Sequence, residues 1–399
     1  LAPQVVVREV CLGAVKWRAD SLGKSSMTRD KIKFVLIGGF LGAGKTTLVG
    51  ELARRYSAEG KRVGIITNDQ TDNLVDTQNL RSQGFDVGEV SGACFCCSFD
   101  DLVATAEGFS ADEIPDVVLA EPVGSCTDLV ATVILPLQEL LGERFELAPF
   151  GVLLKPSHGK RILAAKAENG KSGFSPQAEY IFRKQLEEAD YLMIGRLDQL
   201  SESEVTGLGE RLQAIAEDVP VIPVSPKSGE GVEAVMARIN SPSSTRRRLL
   251  DIDYDTYADG EAELGWVNLT ASIMAGESLV DLDGVTQKLV GDIAKDVVEV
   301  RGGQIAHLKV SALGGDTQSV ANVVSNDSGV DVGLAAGRQV SGSLQVIVNA
   351  RVAMDPDELE MSCRQALTFL GDELKLDIGS VTAHALRPGR PTPTHRVVR

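Results

Sequence analysis

Gly38-Gly39-Phe40-Leu41-Gly42-Ala43-Gly44-Lys45-Thr46-Thr47 decides the fold of this chain. An apolar run, Ile32 to Ile37, leads into it, and a helix-like run, Leu48 to Tyr56, follows. Strand, glycine loop and helix in that order satisfy G-x-x-x-x-G-K-T from Gly39 to Thr46, the pattern of a P-loop. The glycines let backbone N–H groups close around phosphates, and the helix start adds its dipole to the anion site. In this reading Gly39, Gly42, Ala43, Gly44 and Thr47 shape the phosphate cradle. Lys45 reaches the β- and γ-phosphates, and the Thr46 hydroxyl holds Mg²⁺. A chance lysine in a glycine turn would lack this frame of strand and helix, so the chain is expected to bind a nucleoside triphosphate.

Outward from the loop, apolar strands alternate with helical patterns through residue 240. The candidate strands are Lys33–Ile37, Arg62–Thr67, Asp116–Ala120, Phe150–Leu154, Tyr191–Ile194 and Val221–Val224. Amphipathic stretches such as Leu129–Leu141 and Gln177–Glu188 separate them. Such alternation predicts an α/β fold, a mostly parallel doubly wound sheet with its ligands at the carboxyl ends of the strands. Residues 241–248, Ser-Pro-Ser-Ser-Thr-Arg-Arg-Arg, read as a linker with a solvated run of charge, docking of the arginines on a phosphate or an acidic partner being the alternative.

From 249 to 399 the pattern changes. Val267, Leu269, Ala271 and Ile273 alternate as in a strand, and Leu282, Val285, Leu289, Ile293 and Val297 follow helical spacing. Ala306 to Ala312 alternates again, Ser319–Val324 can pair back, and strand Leu344–Val352, a helix and strand Ser380–Leu386 complete a second round. Asp355 followed by Pro356 marks the start of that last helix. The order predicts a smaller α+β domain, with a ferredoxin-like arrangement as one form. The glycine-rich stretch from Gly314 to Gly342 reads in part as a flexible loop, and Arg387 to His395 as an extended basic tail.

A net charge of −16 and a pI near 4.8 argue against nucleic acid as a partner, since phosphate backbones call for a basic face. No apolar run approaches the ~18 residues of a membrane span. The chain opens on Leu1, its first methionine is Met27, and residues 1–26 hold no convincing signal peptide. Residues 1–30 are therefore expected to be an upstream extension or disordered, and the setting cytoplasmic and reducing. The six cysteines then serve as thiols or metal ligands rather than disulfides.

Three further constellations carry chemistry. Cys94-Phe95-Cys96-Cys97 puts three thiols in four residues, a soft donor set for Zn²⁺, Cu⁺ or another thiophilic ion. Adjacent Cys96 and Cys97 would point apart in a strand, so a turn is required for metal binding. Buried core thiols and a redox pair are the other readings. Asp116 to Gly124 places Glu121 and Gly124 at the carboxyl end of a strand, with Glu121 acting through Mg²⁺ or water and Gly124 offering its N–H to the γ-phosphate. Thr67-Asn68-Asp69, with Asp72 and Asp76 beyond, supplies a carboxylate to complete the Mg²⁺ shell or orient water. A turn of solvated aspartates is the bland alternative there.

Loop, C-x-C-C and D-x-x-x-x-E-x-x-G together resemble the CobW/HypB/UreG class of P-loop GTPases, which load metals or service metalloenzymes and cobalamin enzymes. The resemblance covers about residues 32–240. It implies a GTP cycle in which Lys45, Thr46, Asp69 and Glu121 handle phosphates and Mg²⁺. It also implies a thiophilic metal such as zinc or cobalt on Cys94, Cys96 and Cys97, a client metalloprotein or corrinoid enzyme, and nucleotide-dependent dimerisation.

The family reads guanine with N-K-x-D. Here Gly195-Arg196-Leu197-Asp198 stands in that place, so Asp198 remains to accept from guanine while the amide is missing and ATP use stays open. Ser225-Pro226-Lys227 fits the later base-side loop and favours GTP. A nucleotide switch that gates a metalloenzyme without delivering metal, and a P-loop kinase, are the competing functions. Cys126 reads as a buried small residue, with joining the metal site as its alternative; Cys363 and Trp266 read as core, and the histidines as structural or solvated, any one of them able to add a fourth metal ligand from a distance.

Overall fold

The computed structural model describes residues 4–7, 31–68, 75–109, 114–163, 175–242 and 247–398. After β1 (Gln4–Val7), the first domain runs β2 (Ile32–Gly38), α1 (Lys45–Ala58), β3 (Val63–Asn68), α2 (Val75–Ser82), β4 (Asp86–Val90), α3 (Phe99–Gly108) and β5 (Val117–Glu121). A π-helical turn (Val130–Ile134) then opens α4 (Leu135–Leu141), followed by β6 (Phe145–Leu147), β7 (Gly151–Leu154), α5 (Pro156–Ile162) and α6 (Pro176–Glu187). β8 (Tyr191–Ile194), α7 (Glu202–Ile215), β9 (Val221–Pro223) and α8 (Val232–Ile239) finish it. The strands form a parallel sheet in the order β4-β3-β5-β2-β7-β8-β9, with short β6 also parallel to β2.

Helices cover both faces of this sheet, so its central strands are apolar throughout. Val117–Ala120 and Tyr191–Ile194 are buried without a break, and each Val, Leu, Ile or Met among them contributes roughly 1.5–3 kcal/mol. The strand order reverses at β2, and the loop after β2 opens at that switch point, as expected of a doubly wound sheet. Two strands were not legible. Asp86, Gly88 and Glu89 interrupt the apolar pattern of β4, and β6 is three residues with Glu146 exposed. The stretch 129–141 begins as a wider turn rather than a regular helix; Pro136 has no N–H to donate back to Thr132.

The second domain begins with α9 (Tyr254–Ala262), which packs on α6 and buries Tyr257 in the first domain's core. Then come β10 (Gly265–Asp281), α10 (Leu282–Lys295), β11 (Gln304–Gly314), β12 (Thr317–Val323), β13 (Asp331–Leu334), β14 (Gln339–Ala353), α11 (Pro356–Leu374), β15 (Asp377–Leu386) and β16 (His395–Val398). The order β13-β12-β11-β14-β10-β15 is antiparallel throughout. Without β12 and β13 it is the βαββαβ ferredoxin-like arrangement, with that hairpin extending one edge. Asp355 caps α11 as its sequence predicts, accepting from the Asp357 and Glu358 N–H groups.

The sheet has two buried faces. On β14, Val346, Val348, Ala350 and Val352 join the core shared with α10 and α11. Ile347, Asn349 and Arg351, on the other face, are turned to the first domain, where Ile347 and Val320 pack on Val75 of α2.

Three expectations are revised here. Much of 314–342 is sheet, and two of its polar residues are buried and bonded, Gln318 donating to Ser311 (2.8 Å) and Ser319 sharing a hydrogen bond with Thr286 (2.9 Å). Arg247 is no solvated linker charge: its guanidinium is buried 3.5 Å from Asp190 and donates to the Ala148 carbonyl. The basic tail ends in β16, which pairs antiparallel with β1, so residues 4–7 belong to the fold.

Candidate nucleotide and metal site

The loop after β2 is shaped by backbone conformation. Gly39 adopts φ 138°, and a Cβ there would lie 2.5 Å from the Leu153 carbonyl oxygen. It sets the turn from behind and does not line the cleft, whereas Gly42, Ala43, Gly44, Lys45, Thr46 and Thr47 do. α1 begins at Lys45 with Gly44 as its N-cap, with no side-chain cap and no acidic residue in the first turn, so its N–H groups face the cleft unopposed.

β5 delivers Glu121 to the same place. Thr46 donates its hydroxyl to Glu121 Oε1 (3.1 Å), and Lys45 Nζ lies 3.9 Å from that oxygen. Burial pushes Glu121 up to about 7 against the pull of Lys45, and it lowers Lys45 itself. Glu121 Oε2 is buried without a hydrogen-bond partner among the described residues. Gly124 closes against the loop so tightly that a Cβ would meet Leu41 Cδ2 at 2.7 Å.

Asp69 and Asp72 lie outside the described residues. The carboxylate brought to the cleft is Asp76, in the first turn of α2. Burial would raise it, but Lys309, His307 and the Thr46 hydroxyl outweigh that and hold Asp76 down to about 2. Lys309 on β11 forms an ion pair with Asp76, and the Val75 N–H donates to Asn349 Oδ1 (3.0 Å). The second domain therefore forms one wall of the cleft, with His307, Lys309, Asn349 and Arg351. Arg351 lies over the Trp266 ring, 4.2 Å from its centre. Nothing in the local sequence signals these residues; they arrive by long-range packing.

On the base side, Ser225 donates to Asp198 Oδ1 (2.6 Å), which fixes a carboxylate at the exposed rim after β8. Arg196 is left-handed (φ 55°) before it. Lys227 is exposed and lies 3.7 Å from Asp331 of the second domain.

The three motif cysteines share one turn, as metal binding requires. Cys94 Sγ is 3.0 Å from Cys96 Sγ and 3.3 Å from Cys97 Sγ, and Cys96 and Cys97 are 3.7 Å apart. Sulfurs around a tetrahedral zinc sit about 3.8 Å apart, given Zn–S near 2.3 Å. Hydrogen bonds from Cys126, Cys96 and Cys97 favour a thiolate on Cys94. Cys126, read from sequence as core, is indeed buried, in the same core cluster as Cys94 and Cys96.

Asn68, at the carboxyl end of β3, ties the turn to the sheet. It donates to the Val90 (2.9 Å) and Ala93 (2.8 Å) carbonyls and accepts from the Phe95 N–H (2.9 Å). From the other side the tail lies across the motif. Thr394 donates to the Cys96 carbonyl (2.8 Å) and the Cys97 carbonyl (2.9 Å), and the Thr392 N–H approaches Cys97 Sγ (3.3 Å). Among the other predicted core residues, Cys363 and Trp266 are buried; His158 is buried beside Phe40 and Phe182.

No helix among the described residues is long and apolar enough to cross a membrane. Residues 33–223 match the family model described as CobW/HypB/UreG, nucleotide-binding domain. A zinc chaperone CobW from Sinorhizobium sp is 24% identical over 318 residues, 72% of this chain and 86% of that protein. Hydrogenase maturation factor HypB from Archaeoglobus fulgidus is similar at 19% identity and TM-score 0.36, over 52% of this chain and 87% of that one. The Zn(II)-bound YjiA GTPase from E. coli is similar at 17% identity and TM-score 0.34, over 86% and 99%. The phosphate loop, the acidic strand end and the thiol turn all fall inside the matched span, and the chain carries, over residues 33–223, a nucleotide-binding domain of the CobW/HypB/UreG family.

Proposed function

We propose that this protein is a GTP-hydrolysing metallochaperone that couples hydrolysis to the binding and release of a thiophilic metal, with zinc as its cargo. The observation that carries the reading is the shared scaffold: Asn68, at the end of a strand that lines the nucleotide cleft, holds the turn bearing Cys94, Cys96 and Cys97. A displacement at the phosphates thus reaches the thiols through one side chain. The likeness to a curated zinc chaperone supports zinc.

For the hydrolysis step, the loop N–H groups and Lys45 hold the β- and γ-phosphates. Thr46, Glu121 and Asp76 offer oxygens to Mg²⁺, and the unpaired Glu121 Oε2 fits such a donor set. Mg²⁺ supplies neutralisation of the charge that develops on the γ-phosphoryl oxygens. Asp69 is assigned to orient the attacking water, and Asp198 with Ser225 to accept from guanine. Lys45 and Lys309 concentrate positive charge in a cleft that the second domain shields from water.

Burial of Cys94 and Cys96 under the tail favours a second reading, a switch that keeps its metal while gating a metalloenzyme. Metal stoichiometry of the anaerobically purified protein, alone, with a GTP analogue and with GDP, tests both. Delivery predicts one thiol-dependent zinc held differently in the two nucleotide states. Zinc retained through many turnovers favours the gating switch, and no thiol-dependent metal in any state overturns both.

A further inference from the structure

We infer that Lys309 of the second domain is a catalytic cation of the hydrolysis step: its ammonium is held by Asp76 and passes to the γ-phosphoryl oxygens once Asp76 is engaged by Mg²⁺. This deepens the hydrolysis reading above and rests on it. The second domain sits directly on the phosphate loop. A Cβ added at Gly42 would meet Val324 Cβ at 3.2 Å and the Ala306 carbonyl oxygen at 3.4 Å. Ala306 belongs to β11, and Lys309 lies three residues further along that strand, about 10 Å on. β11 thus passes over the loop at Gly42 and reaches α2 at Asp76, where Lys309 forms its ion pair. Its neighbours in the sheet fix that reach. Lys309 stands opposite Asn322 of β12 and Asn349 of β14, and Asn349 accepts from the Val75 N–H, one residue before Asp76. Lys309, Asn322, Asn349 and Asp76 line the same cleft as Lys45 and Thr46.

Charge decides where the ammonium goes. A carboxylate that turns its oxygens to a divalent ion gives up most of its hold on a lysine, and the ion's own charge repels the ammonium. The other described carboxylates lining the cleft are taken. Glu121 accepts from Thr46 and faces Lys45 at 3.9 Å, Asp198 accepts from Ser225, and Asp331 lies 3.7 Å from Lys227. The anion left for Lys309 is the γ-phosphate. Arg351 on the same wall is committed elsewhere, donating to the Val267 and Ala350 carbonyls and to Asn268. Lys309 suits the exchange because a lysine is a point charge with three donors on a flexible stem. In the step itself the water oxygen bonds to the γ-phosphorus, and the bond from that phosphorus to the β,γ-bridging oxygen breaks, its electron pair staying on GDP. One proton of the water remains on the inorganic phosphate and the other passes to solvent. Lys309 exchanges no proton; beside Lys45 it neutralises charge on the γ-phosphoryl oxygens. With GDP there is no γ-oxygen for it to meet, so the second domain tells the triphosphate from the diphosphate.

Dissociation constants of a non-hydrolysable fluorescent GTP analogue and of GDP, with Mg²⁺, and single-turnover phosphate release from GTP test this on the full chain. Lys309→Met is expected to slow phosphate release about 10²-fold and to weaken analogue binding about tenfold, while GDP binding changes by less than about twofold. Lys309→Arg keeps the charge and should recover most of both. Asp76→Asn with and without Lys309→Met repeats the comparison with no buried carboxylate left unpaired, so it serves even where Lys309→Met alone does not fold. There too the analogue should bind about tenfold more weakly once the lysine is gone. Analogue and GDP binding that weaken together, or phosphate release within about twofold of native in Lys309→Met, would overturn the role of Lys309. A native chain that releases no phosphate would instead overturn the hydrolysis reading, and the analogue-against-GDP comparison would still decide whether Lys309 meets the γ-phosphate.

Discussion

The phosphate loop, after β2, and the thiol turn, after β4, lie at the carboxyl end of one sheet, yet they are built differently. The loop is held by its own backbone: Gly39, Gly44 and the start of α1 sit within ten residues, and the Leu153 carbonyl is the main thing pressing on them. The thiol turn is held by others. Asn68 fixes it from β3 and Thr394 from the last strand's approach. A locally encoded site binds its ligand by being rigid; a site assembled from distant segments can be changed by moving any of them.

That contrast predicts separable damage. The largest effect is expected from Lys45→Ala, which should lower GTP turnover by roughly 10²–10³-fold while zinc binding without nucleotide persists. Loss of zinc in this variant would mean the two regions are one unit. Asn68→Ala strips the anchor from the turn and leaves two carbonyls and an N–H unpaired, which should cost about 3 kcal/mol in urea unfolding and weaken zinc binding. A variant that unfolds like the native chain would show that the turn holds itself.

Lys309→Met sharpens the role of the second domain, at about 2 kcal/mol near neutral pH. Asp76 titrates at about 2 in the fold, below its ordinary 3.8, so its stabilisation is present above about pH 4 and fades as pH falls towards 2. Without Lys309, burial dominates and raises the Asp76 carboxyl, so the sign reverses and stability should fall as pH rises from 4 to 7. Urea unfolding across that range distinguishes the two, and curves of the same slope would remove Lys309 as the partner. The smallest effect is expected from Thr394→Pro, which deletes the N–H donated to Cys96. It should cost about 1 kcal/mol and hasten zinc transfer to a chelator, with GTP turnover unchanged. Transfer at the native rate would show that the tail does not restrain the metal.

Legibility in the sequence follows the same division. The loop, β2, β8 and the helical pattern of α10 could be read because each depends on periodicity or glycine spacing within a dozen residues. The placement of Thr46 against Glu121 follows from which strand ends are neighbours, a rule of doubly wound sheets. Lys309, Asn349 and Arg351 could not be read, since their place in the cleft depends on how one face of an antiparallel sheet docks on α2. Arg247 and the 317–323 strand misled for another reason: polar side chains look solvated in sequence, yet here their partners lie inside the protein. Cys126 could be noted as a thiol near Gly124, but its place in the same core cluster as Cys94 depends on the path of the chain out of β5.

The pairing of β1 with β16 has a mechanical side. Gln4 stands opposite Val398 and Val7 opposite His395, so the two strands enter the pair from the same end. Tension applied at Gln4 and Val398 would not shear this clasp; it would peel the pairs one after another, like a zip pulled from its open end. The next bonds in the path of that peel are those of Thr394 and Thr392 on Cys96 and Cys97. A pull between Gln4 and Val398 is therefore delivered to the turn that bears Cys96 and Cys97, and in a force-extension trace the cover over that turn would open before the core of either domain gives way.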